Sequence, residues 1–253
     1  MTTTQKEVYD FEVSLEPITC HGKVVPKFRS VWNKDIEEPI TVVSSGYNLV
    51  PHSHLVDTAQ ELVHELGPHE TRFTIGKKGA AFLGEYTFKH KPVEVKKGDL
   101  VGLKLYLENS YNRSKSGRIR VGGLVLSCLN GAVSERSVFD FSFRHIGKEA
   151  IDIPTARSIL DAFSGEVQRW RALAKTTFTQ AEYVGFAHEA VENGIIPLSA
   201  TTGEASESDL NAWGLYNRFT YHITHKEKAN ASAISRVRRL ERVSKFFNER
   251  FGV

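Results

Sequence analysis

The densest run of residues able to do chemistry lies between Lys104 and Arg120. It holds five basic side chains (Lys104, Arg113, Lys115, Arg118 and Arg120) against one acidic side chain, Glu108, a local charge of +4. Tyr106 and Tyr111 stand among them. Cations beside aromatic rings suit a nucleic-acid backbone: the cations neutralise phosphates and the rings stack on bases. The same composition also describes a solvated basic hairpin that blunts a sheet edge. A second constellation is Cys128, Asn130, Arg144 and His145. If consecutive strands bring them together, a Cys–His pair oriented by Asn is a nucleophilic arrangement. Cys128 sits in an apolar run, so it also reads as a small core residue. His52, His54 and His64 lack the i, i+4 spacing of metal ligands, and no metal or other cofactor is expected.

The elements that position these residues follow from periodicity. Leu103, Leu105 and Leu107 alternate with Lys104, Tyr106 and Glu108, which predicts a strand with one apolar and one polar face. Asn109 to Gly117 supplies turn chemistry, and Ile119, Val121, Gly123 and Val125 predict the return strand. The run Leu124 to Leu129 fits a buried strand or a helix start, and Asn130-Gly131 fits a turn or capping pair. Upstream, Val8–Leu15, Val24–Trp32 and Ile40–Val43 read as strands separated by Pro17 and His21-Gly22. Leu55, Ala59, Leu62, Val63 and Leu66 predict a helix over 53–66, capped by Ser53 and stopped by Gly67-Pro68. Thr71–Ile75 and Ala80–Phe88 predict a hairpin around Gly76-Lys77-Lys78-Gly79, whose spacing is wrong for a P-loop. Lys89 to Lys97, around Pro92, reads as a polar loop. Phe139, Phe141 and Phe143 predict one more strand.

Beyond Pro154 the pattern turns helical. Predicted helices are Ala156–Lys175, Gln180–Glu192 behind Thr179, Asp209–His225 behind Ser208, and Ala231–Arg250. The span from Lys226 to Arg250 has eight basic and three acidic residues. It is either a solvated helix face with snorkelling side chains or a second surface tracking phosphates. The expected fold is therefore α+β: a twisted antiparallel sheet with one inserted helix, packed against a C-terminal helical half. Residues 1–150 form the β-rich core and 151–253 the helical half, on one core as a single domain.

Composition is that of an ordinary globular chain, with 253 residues, 40% hydrophobic and 25% charged. Net charge is +3, which permits an anionic partner. Cys20 and Cys128 stand far apart, which argues against a disulfide framework and for a reducing cytoplasm. No apolar leader or membrane-length run is present, so no membrane partner is expected.

Several short motifs add to this. They are Tyr47-x-Leu49-x-Pro51, Asn109-Ser110 with Ser114, Cys128-x-Asn130-Gly131, Arg144-His145-x-Gly147 and Trp213-x-x-Tyr216-Asn217. In this order, before a closing basic helix, they resemble an uncharacterised phage/plasmid-like protein family, the domain of unknown function numbered 932. Members of that family often carry Asn-Ser-His-Asp-Gly where this chain has Asn109-Ser110-Tyr111-Asn112-Arg113, so a mechanism built on that His and Asp has no counterpart here. The resemblance implies a mobile-element protein in a bacterial cytoplasm. In outline the fold is also similar to phage single-strand annealing proteins. Together these readings favour a nucleic-acid-binding accessory protein of phage or plasmid DNA metabolism, acting on single-stranded DNA through the basic hairpin and self-associating through its helices. The alternatives are an enzyme using Cys128, His145 and Asn130, or a protein that inhibits a host factor, with Trp213, Tyr216 and Phe219 as a candidate anchor.

Overall fold

In the computed structural model, which describes residues 8–112, 117–126, 130–133 (backbone only), 153–201, 210–226 and 232–252, the N-terminal segment forms a three-stranded antiparallel meander. Its strands are β1 (Val13–Cys20), β2 (Lys23–Asn33) and β3 (Glu38–Ser44). His21 and Gly22 connect β1 to β2 with φ of 50° and 76°. Two positive-φ residues give the two-residue turn whose twist matches flanking strands. Pro17 lies on β1, an edge strand, where a missing N–H is tolerated. Pro26 lies where the β1–β2 register shifts, between the pairs Thr19–Val24 and Pro17–Arg29.

Helix α1 (His52–Leu66) follows. It buries Leu55, Val56, Ala59, Leu62, Val63 and Leu66, as the 3.6-residue spacing predicts, and each large aliphatic chain contributes about 1.5–3 kcal/mol of burial. Its N-cap is Pro51 rather than Ser53, with no side-chain cap. The second sheet is a five-stranded meander in the order β4 (Glu70–Gly76), β5 (Ala81–Lys96), β6 (Asp99–Ser110), β7 (Arg118–Val125), β8 (Asn130–Val133). Two expectations change here. The stretch Lys89 to Lys96 is strand rather than loop: β5 runs on through Pro92, and the Glu94 carbonyl accepts hydrogen bonds from the Arg171 guanidinium at 2.7 and 3.1 Å. Asn130-Gly131 is neither turn nor cap, since Asn130 pairs with Val125 and Gly131 with Leu124 in β8.

The helices are α2 (Ala156–Lys175), α3 (Gln180–Glu192), α4 (Ala212–Tyr221) and α5 (Ala233–Phe251). Thr179 closes a capping box with Glu182 at the start of α3, as predicted. Asn211 caps α4 by accepting from the Gly214 N–H at 2.9 Å. The predicted cap Ser208 lies outside the described residues. A π-helical turn, His222–Lys226, continues α4, and Ser232 caps α5. The architecture is α+β, with mostly C-terminal helices. The predicted strand around Phe139–Phe143 lies outside the described residues.

The chain divides into two compact units, and β5, β6 and β7 each contribute residues to both. The first holds β1–β3, α1, β4, and residues 81–86, 105–110 and 118–119 of the shared strands. One core cluster there joins Val31, Val43, Tyr47 and Tyr111, with Phe11, Val13, Leu15, Ile40 and Leu49 around it. The second holds the remaining parts of those strands, β8 and nearly all of the C-terminal helices. In it α4 and α5 pack on β8 and on each other. Gly123 of β7 lies so close to α2 that a Cβ there would stand 2.6 Å from Trp170 and 2.6 Å from Val101. No helix among the described residues is long and apolar enough to cross a membrane.

Candidate functional site

Most of the polar face of β6 and β7 is covered, with Lys104 and Arg118 half-buried. Every residue of β6 from Leu105 to Ser110 is buried, so both faces of that stretch are covered although its polarity alternates as predicted. Tyr106 and Tyr111 are 1% and 0% exposed. Neither presents a ring for stacking, which corrects that expectation. Burial holds both phenols well above their ordinary pKa, reinforced for Tyr106 by the nearby Glu85 charge and for Tyr111 by Tyr47. Arg118 Nε stands 2.9 Å from the carboxylate of the fully buried Glu108. Arg120 is 2% exposed and bonds Glu241 of α5 at 2.7 Å. Arg120 is thus buried against α5 and is not presented to a phosphate, a second correction, while Arg118 pairs with Glu108 and stays half-buried. Lys104 is half-buried. Arg113, Ser114 and Lys115 lie outside the described residues, as do Cys128, Arg144 and His145; the side chain of Asn130 is likewise undescribed.

Two of the motif segments do converge, inside the first unit. His52, fully buried, stacks on Tyr111 with ring centroids 4.0 Å apart and on Phe82 at 5.2 Å. Its Nε2 lies 3.0 Å from the Gly79 carbonyl, and its Nδ1 lies 3.1 Å from the Asn109 side-chain amide. A carbonyl accepts only from N–H, so the network assigns the proton to Nε2 and leaves Nδ1 to accept from Asn109. The same Asn109 amide donates to the Val50 carbonyl at 3.0 Å. The His52 backbone N–H donates to the Tyr111 hydroxyl at 2.9 Å, and Tyr47 Oη donates to the Ser110 carbonyl at 3.4 Å. This cluster ties the entry of α1 to the end of β6 and to the β4–β5 turn. It has no solvent access, so it is a structural joint. Spacing among histidines gave no sign of it; the signal was the adjacency of His52 to Tyr47-x-Leu49-x-Pro51.

In the second unit, Trp213 donates from Nε1 to Asp99 at 3.0 Å and stacks on Tyr216 at 5.6 Å. The Tyr216 hydroxyl and Ser244 Oγ are 2.8 Å apart. Trp213, Tyr216 and Phe219 are all within 1% of full burial. They are core residues, so they offer no exposed anchor, and Asn217 beside them is half-buried.

Exposed cations occur on several elements, and on α5 they form a row. Val237, Leu240, Val243, Ser244 and Phe247 form its buried stripe. At 100° per residue, Arg238, Arg242 and Lys245 fall together on the opposite face, and all three are exposed. Arg242 donates to the Gly194 carbonyl, a neutral acceptor, at 3.0 Å. Lys245 stands 3.7 Å from Glu249, and both are well exposed. With Asn193, Ile195 and Phe246, these residues line a small cleft beside the end of α3. Among the described residues, no three His, Cys, Asp or Glu side chains are placed to hold a metal ion.

The family model described as Domain of unknown function (DUF932) matches residues 39–244. The chain belongs to the DUF932 family. No curated protein and no solved structure matches it. The DUF932 match runs from β3 into α5, and so takes in both the His52–Asn109 joint and the Trp213–Asp99 joint.

Proposed function

We propose that this DUF932 protein is a sequence-independent nucleic-acid binder of mobile-element DNA metabolism, and that α5, rather than the β6–β7 hairpin, carries its phosphate contacts. The support is the face of α5 on which Arg238, Arg242 and Lys245 line up opposite the buried stripe. Their spacing sets successive cations about 6 Å and 4.5 Å apart along the helix axis. Cations held in a row on a rigid element, and not consumed by buried carboxylates, fit a polyanion better than a compact anion. The likeness of the motif order to phage and plasmid proteins supplies the mobile-element setting.

Three phosphate contacts to a single strand give log affinity a slope of about −2 against log salt. Fluorescence anisotropy with labelled oligonucleotides over a salt series measures it. The variant Arg238→Gln/Arg242→Gln/Lys245→Gln is expected to flatten that slope towards zero. Undiminished binding by the variant, or no binding by the natural chain at low salt, overturns the proposal.

A further inference from the structure

Next in the chain before α5, the structure exposes one aromatic ring in cationic company. Tyr221, the last residue of α4, is 39% exposed. The other aromatics of α4, which are Trp213, Tyr216 and Phe219, are buried. The His225 ring lies 4.6 Å from Tyr221, tilted by 40°, and Lys226 Nζ lies 5.9 Å from its centroid. All three residues belong to the end of α4 and the π-helical turn that packs against α5. That turn keeps Ile223 buried while Tyr221, His225 and Lys226 stay exposed. Thr224 Oγ1 donates to the Thr220 carbonyl at 2.7 Å within it. Isolated π turns cost helix geometry and recur where a helix presents side chains for function.

We infer that Tyr221, with His225 and Lys226, is a base-stacking platform beside the phosphate-contacting helix, and that the ligand is therefore single-stranded nucleic acid. This rests on the phosphate-binding reading of α5 and deepens it. A ring flanked by an imidazole and an ammonium accepts the π-face of any base while the cation meets the adjoining phosphate. Bases in a duplex are already stacked on their neighbours, so only an unpaired strand gains from the ring.

The test compares three labelled ligands of equal length: a thymidine oligonucleotide, an abasic oligonucleotide and a duplex. The natural chain is expected to bind the thymidine strand about 5- to 150-fold more tightly than the abasic strand, the range of one base–aromatic stack. Tyr221→Ala removes that margin and leaves abasic and duplex binding unchanged, while Tyr221→Phe retains it. Equal affinity for thymidine and abasic strands, or a margin that survives Tyr221→Ala, overturns the platform even though phosphate binding stands. Failure to bind any of the three ligands overturns the phosphate reading and the platform with it.

Discussion

Two basic regions of this molecule look alike in sequence and differ in what their cations do. On β7, Arg120 is buried and Arg118 half-buried, and they answer Glu241 and Glu108. On α5, Arg238, Arg242 and Lys245 lie outside. The difference is one of cover. A central strand has two faces, and either can be roofed by chain far away in sequence, as Glu241 meets Arg120 across 121 residues. A helix that has committed its apolar stripe to a core keeps the opposite face in water. Local charge density therefore marks where ionic work is done, and only burial tells whether that work is internal compensation or contact with a partner.

The buried side of the comparison breaks most visibly at alkaline pH. Tyr86, Tyr106 and Tyr111 all have phenols raised above the ordinary 10.0, chiefly by burial. Their folded-state pKa exceeds the unfolded value, so their contribution is fully present below pH 10 and is lost as pH rises. Above pH 10 the unfolded chain ionises while the folded one does not. Each silent tyrosine then costs about 1.4 kcal/mol of stability per pH unit. Phenolate absorbance and circular dichroism followed together should show these three ionising only as the fold is lost. Titration of all three near pH 10 with the fold intact would restore Tyr106 and Tyr111 as accessible rings and undo the contrast with Tyr221.

Arg118→Ala is the next largest perturbation. It removes the guanidinium beside Glu108, which is 1% exposed, and removal of one partner from a buried pair costs about 3–5 kcal/mol. Replacing both residues by leucine should recover much of that loss, because neither desolvated charge then remains. Denaturant unfolding of the two variants decides the point. A loss under about 1 kcal/mol for Arg118→Ala, combined with weakened oligonucleotide binding, would move the phosphate surface back to the hairpin.

Much of this was legible in the residues. The stripe of α1 and the alternation of β6 gave their elements directly, because burial against a nearby core imposes a local period. The α4 cap was misplaced because Asn211 and Ser208 are both capping types and only the fold chooses between them. The covered polar face of β6 was illegible for a different reason: its period is the same whether water or protein lies above it. The His52 joint was hidden by distance, since it closes contacts between residues 57 and 59 positions apart, and no window of local sequence holds both halves.

The smallest expected effect sharpens the comparison from its exposed side. If α5 presents Arg238, Arg242 and Lys245 to solvent, replacing all three by glutamine should leave unfolding free energy within about 0.5 kcal/mol of the natural chain. Glutamine keeps helix propensity. The Lys245–Glu249 pair is exposed and worth little, and Arg242 loses only a solvent-facing bond to the Gly194 carbonyl. Chemical denaturation monitored through the buried Trp170 and Trp213 reports it, since both rings lie in the unit that contains α5. A loss of several kcal/mol would mean that these cations, like Arg118 and Arg120, hold the fold together. Unchanged stability with abolished oligonucleotide binding is the combination that separates a surface kept for a partner from one kept for the protein itself.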